Sequence, residues 1–131
     1  MKIVRGKFIT VHERNIYFSH VTTMLFQYYD HGGYADHVFV LGDYIEYPAA
    51  YFKALYPGKK IIAYQLEQLC GGPNWHFVDR TVSNLRGFDE IWEYDAVNVS
   101  YLKQCGVEVS KLAPMRYTQK LNGILSELNP D

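Results

Sequence analysis

Apolar runs of strand length alternate along this chain with stretches of helical period, and that alternation restricts its folds more than any other feature. It is the pattern of βαβ units wrapped around a parallel sheet. Five runs qualify: Ile3 to Val11, rich in β-branched residues; His37 to Leu41, reading HVFVL; Lys60 to Tyr64, reading KIIAY; Glu90 to Trp92; and Val107 to Ala113. The second and third lack polar alternation, as expected of strands covered on both faces. Between the runs lie four predicted helices. Phe18, Val21, Leu25 and Tyr28 give the segment from Arg14 to Tyr29 one apolar face, closing toward Gly32 and Gly33. Pro48 suits the first turn of the second helix, which must end near Tyr56 because Pro57 and Gly58 follow. Trp75, Val78, Val82 and Leu85 repeat the helical spacing behind Asn74, a good N-cap, and stop at Gly87. Asp95 can cap the fourth, which runs through Leu102 to Gly106 as the residue just past its end.

At 131 residues, 48% of them hydrophobic, the chain can build one core without help from disulfides or metal. Its 13 basic and 14 acidic side chains nearly cancel and form no block of like charge, so a nucleic-acid or acidic-membrane partner is not expected. The start, MKIVRGKF, is too short and interrupted for a signal peptide, and no apolar run approaches the roughly 20 residues that cross a bilayer. A cytoplasmic protein is expected. Cys70 and Cys105 are far apart in sequence and fit two buried thiols better than a disulfide framework.

In an open parallel sheet, ligands gather where the strands end at their carboxyl edge, beside helix N-termini. The residues that follow the runs are therefore the candidates: His12, Glu13 and Arg14; Gly42 and Asp43; Gln65, Glu67 and Gln68; Tyr94 and Asp95; Met115, Arg116 and Tyr117. The plainer reading is that strands end in polar loops. His12 could serve as a general base, or could be a helix-start histidine touching solvent. Glu67, between Gln65 and Gln68, could hold sugar hydroxyls or satisfy loop amides. No GxGxxG or GxxxxGK[ST] loop is present, and Pro73 after Gly71 and Gly72 removes an amide donor a phosphate would want. The five histidines show no metal-ligand spacing, so no metal is assigned. Asn98-Val99-Ser100 matches a glycosylation acceptor but falls within a predicted helix. The 12 tyrosines could stack on sugars, though most should be boundary core residues with a wet tip.

Four pieces in order resemble the first domain of GT-B type glycosyltransferases of polysaccharide and surface-glycan assembly. They are AYQLEQL at Ala63 to Leu69, Trp75 opening a helix, FDEIWEYDAVN at Phe88 to Asn98, and LAPMRY at Leu112 to Tyr117. Asp95 stands where the family usually has serine, and Arg116 where it has glycine. The resemblance implies a Rossmann-like, three-layer αβα domain over residues 1–117, with a mainly parallel five-stranded sheet in the order 3-2-1-4-5. Residues 118–131, with Leu121, Ile124, Leu125 and Leu128, are then a short amphipathic tail or an interdomain linker. It further implies an acceptor-side domain lined by Gln65, Glu67, Gln68, Tyr94, Asp95, Asn98, Arg116 and Tyr117, with His12 or Glu67 as the catalytic group. The expected partners are a carbohydrate or glycan acceptor and a second, donor-binding domain. The second domain would hold the nucleotide sugar, leaving this domain without a cofactor and inactive alone. An exposed interdomain face could instead pair two copies as a homodimer. The competing reading is a non-catalytic binding or assembly module of the same fold.

Overall fold

A computed structural model describes residues 2–5, 8–11, 37–42, 45, 47–69 and 75–114. They form an α/β unit around one sheet. Its elements are β1 (Lys2–Arg5), β2 (Phe8–Val11), β3 (His37–Gly42), α1 (Ala49–Leu55), β4 (Lys60–Gln65), α2 (Trp75–Leu85), β5 (Glu90–Glu93), α3 (Ala96–Gln104) and β6 (Lys111–Leu112). The predicted helix from Arg14 to Tyr29, the Asn74 cap and the predicted tail lie outside the described residues.

Two expectations change. The run from Ile3 to Val11 is not one strand: β1 and β2 pair antiparallel, with Arg5 opposite Phe8. Only Gly6 and Lys7 separate those partners in sequence, and a glycine is what a two-residue hairpin connection favours. The strand order is β1-β2-β3-β4-β5-β6, not 3-2-1-4-5, with every pair after the first parallel. Right-handed crossovers that each advance by one strand set their helices on one face of the sheet. The core follows that geometry. Val38, Val40, Ile61, Ala63 and Ile91 point to one face and pack with Ala49 and Phe52 of α1, Val78, Val82 and Leu85 of α2, and Leu102 of α3. The alternate residues Phe39, Leu41, Ile62, Tyr64 and Trp92 point to the other face and form a second buried cluster with Ala113. Both faces of β3 and β4 are thus buried, which is why their sequences show no alternation.

Helix ends follow the local chemistry. The Asp95 side chain accepts from the Val97 amide at 3.2 Å, an N-cap bond. At the other end of α3, Gly106 adopts φ +79°, the Val107 amide donates to Leu102 O (2.8 Å) and the Gly106 amide to Lys103 O (3.0 Å). That pair of bonds is a Schellman cap, closed by the buried side chains of Leu102 and Val107. Cys105, beside it, is a free, half-buried thiol packed against the core.

One core position conflicts with its neighbours. Thr81 in α2 is fully buried, and among the described residues its hydroxyl has no hydrogen-bond partner. An unsatisfied buried hydroxyl costs free energy that a methyl of the same shape does not. Thr81→Val is therefore expected to raise stability by about 1 kcal/mol in urea unfolding. A loss of that size would show that the hydroxyl is held after all.

Candidate functional site

Strands β4 and β5 end together at the carboxyl edge, and their last residues, Gln65 and Glu93, are opposite each other in register. Directly paired side chains share a face and meet. The Gln65 amide nitrogen donates to Glu93 Oε1 at 2.5 Å and to Glu67 O at 2.7 Å, while its oxygen accepts from the Glu67 amide at 2.8 Å. The other carboxylate oxygen, Glu93 Oε2, accepts from the Asp95 amide at 2.9 Å. Asn98, on the first turns of α3, closes the group: its nitrogen donates to Glu67 O (2.8 Å) and its oxygen accepts from the Leu69 amide (3.0 Å). Gln65, Glu93 and Asn98 are each fully buried. They brace the turn of residues 66–69 against β5 and α3.

On the neighbouring strand, Gly42 is opposite Gln65, and a Cβ at Gly42 would come within 2.7 Å of Ile45 Cδ1. Glycine there lets Ile45 fold back under the edge. Deeper down, the Tyr64 hydroxyl donates to Ala113 O, fastening the segment after β6 to β4.

Among the described residues, the buried Glu93 carboxylate is held only by dipoles. Burial is the largest influence and pushes its pKa from 4.5 up to about 7, against the lowering effect of the Gln65, Asp95 and Asn98 hydrogen bonds and with a smaller push from the Asp95 charge. Above this base lie the accessible groups. Glu67, Tyr94 and Asp95 are half-buried and Gln68 is exposed. Glu67 Oε1 accepts from the Gln68 amide at 2.9 Å. The Tyr94 phenol is raised first by burial and then by the charges of Asp95, Glu93 and Glu67, which gather around it.

Of the residues expected from sequence, the structure thus brings Gln65, Glu67, Tyr94, Asp95 and Asn98 together, with Gln68 beside them. Gln65 and Asn98 lie beneath the surface, and Asp95 is occupied in part as a helix cap. His12, Arg116 and Tyr117 lie outside the described residues. Glu93 is absent from the sequence-based candidates because its strand reads as ending at Trp92. The signal for it was a carboxylate directly continuing an apolar strand, one residue beyond two core positions.

A pocket of about 490 Å³ opens at the opposite, amino edge of β5 and β6, lined by Arg86, Asp89, Glu90, Val107, Glu108 and Ser110 among others. Several of its polar groups are engaged in holding loops. Arg86 donates to Cys105 O at 2.7 Å, Asp89 accepts from the Ile61 amide at 2.8 Å and lies 3.5 Å from Lys53 Nζ, and Ser110 accepts from the Ile91 amide at 3.0 Å. The carboxyl edge, with helix N-termini beside it, is the better ligand candidate on chemistry.

Among the described residues, no group of three or more His, Cys, Asp or Glu side chains is placed to hold a metal ion, and no helix is long and apolar enough to cross a membrane. Fold and edge define an α/β protein with a parallel sheet and a braced polar rim. Comparison with protein families, curated proteins and solved structures gives no match.

Proposed function

We propose that the carboxyl edge of β4, β5 and α3 binds the hydroxyl groups of a carbohydrate or glycan acceptor. In this reading the chain is the Rossmann-like acceptor-side domain of a cytoplasmic glycosyltransferase, and transfer from a nucleotide sugar requires a second, donor-binding domain. The observation that carries the reading is the clustering of Glu67, Tyr94 and Asp95, all part-exposed, over a rigid buried base. Carboxylates and a phenol in that arrangement suit a polyhydroxyl ligand, since the carboxylates accept from hydroxyls and the phenol both donates and stacks. Two of the four sequence pieces that carry the family resemblance, Ala63 to Leu69 and Phe88 to Asn98, are the ones that meet here. Glu67 is the best-presented catalytic candidate at this edge, with His12 as the other catalytic group expected from sequence and Arg116 and Tyr117 as expected substrate contacts.

The strand order favours a second reading, a non-catalytic binding or assembly module. Nucleotide crevices in open parallel sheets form where the strand order reverses, and the described strands run in sequence without a reversal.

Calorimetric titration with oligosaccharides and with nucleotide sugars, together with an assay for released nucleoside diphosphate, separates the readings. The expected result is oligosaccharide binding weakened about tenfold or more by Glu67→Gln, with no diphosphate released by the isolated chain. Turnover by this chain alone would refute the need for a second domain. Binding of neither sugar nor donor would leave the assembly module as the reading.

A further inference from the structure

The Gln65 amide is a directional joint. Its nitrogen faces two acceptors, Glu93 Oε1 and Glu67 O, and its oxygen faces one donor, the Glu67 amide. An ionised Glu93 only accepts, and both its oxygens meet donors, Gln65 Nε2 and the Asp95 amide. With the carboxylate charged, every group in the chain of contacts finds its complement.

We propose that Gln65, Glu93 and Asn98 form a proton-sensitive latch on the 66–69 turn: ionised Glu93 holds the turn, and protonated Glu93 releases it. A proton on Glu93 must itself find an acceptor. The side chain already in contact offers one, the Gln65 amide oxygen, but only after the amide turns over. Turned over, it directs its nitrogen at the Glu67 amide, donor against donor, and strips Glu67 N–H of its partner. Asn98 still holds Glu67 O and the Leu69 amide, so the turn stays hinged at that side while Glu67 comes loose. The latch would thus set how firmly Glu67 is presented at the edge, whatever the edge binds.

Among the described residues, the surroundings leave the proton as the controlling charge. Among the described residues, the titratable groups around Glu93 are the carboxylates of Asp95 and Glu67 and the phenol of Tyr94. From β4 comes the Gln65 amide, from α3 the Asn98 amide, and from β6 the register partner Leu112, while Lys111 lies 4.7 Å from the centre of the Trp92 ring. None of these brings a cation to the carboxylate. Burial places its titration at about 7, within the range where a cell's pH varies.

The test is a pH titration of the intact chain by NMR, following the Glu93 carboxyl carbon and the backbone amides of Glu67 and Leu69. The expected result is one midpoint near 7 for the Glu93 carboxyl and the Glu67 amide, with hydrogen-exchange protection of Glu67 falling about tenfold or more below it. Leu69 protection should change less. Glu93→Gln should remove the midpoint at Glu67, and the wild-type titration is decisive by itself if that variant does not fold. Glu67 protection that stays constant through the Glu93 titration, or a Glu93 carboxyl that titrates near 4.5, would overturn the latch.

Discussion

Trp92→Ala is expected to cost about 3–5 kcal/mol, the largest loss from any single side chain considered, and enough to unfold a domain of ordinary stability. Trp92 is fully buried and is the largest of the enclosed side chains among the described residues. It meets Phe39 of β3 edge to face at 5.0 Å and Tyr64 of β4 at 6.2 Å, so it joins three strands across the face opposite α1, α2 and α3. Its indole N–H donates to Glu90 Oε1 at 3.2 Å, and Lys111 of β6 covers the ring. Truncation removes the ring from all of these at once and leaves a cavity between strands that cannot close without losing register. Trp92→Phe keeps most of the volume and should cost about half as much or less. Urea midpoints for both variants measure it. A loss below about 1 kcal/mol for the alanine variant would mean that the cluster is not the second core described above.

The next largest effect is one of pH. Glu93 ionises near 4.5 when free and near 7 when buried in the fold. Between those values the folded chain holds a proton that the unfolded chain has given up, so lowering the pH favours the fold. The contribution is fully present below about 4.5 and is lost as pH rises through about 7, a swing on the order of 3 kcal/mol. This runs opposite to the local effect at the turn without contradicting it. Relief of a buried charge outweighs the hydrogen bonds that protonation disturbs, as burial already outweighs them in setting the pKa. Unfolding free energies across that window, for wild type and for Glu93→Gln, give the measurement. The variant should show a flatter curve, and two parallel curves would show that Glu93 carries no such charge penalty.

Most strands and helices were legible because they depend on local pattern. HVFVL and KIIAY read as doubly covered strands from their unbroken apolar character, and Asp95 and Gly106 mark the ends of α3 by capping chemistry that operates within a few residues. The hairpin was signalled by Gly6, one residue in a run otherwise rich in β-branched side chains. Strand order was not legible at all from local pattern, since it depends on which distant strands pair, and the family analogy supplied a different order. At the edge, sequence identified Gln65, Glu67, Tyr94, Asp95 and Asn98 as polar groups near strand ends. It could not separate the buried from the accessible, because that depends on the Gln65 and Glu93 register. Glu93 was hidden for the same reason. A carboxylate after an apolar strand looks like the start of a loop until its partner across the ladder is known.

The sequential order of the strands also bears on how the chain assembles. Each described strand from β3 onward pairs with the described strand that precedes it in sequence, so every pairing among them closes a loop no longer than one crossover. In an order with a reversal, an interior strand keeps one side open until much later chain arrives, and that wait exposes an unpaired edge. Here the sheet can lengthen from its amino-terminal hairpin as the chain emerges from the ribosome, each new strand finding a finished template. The growing edge is always the newest strand, and among the described strands the last in sequence, β6, is only two residues long and begins with a lysine.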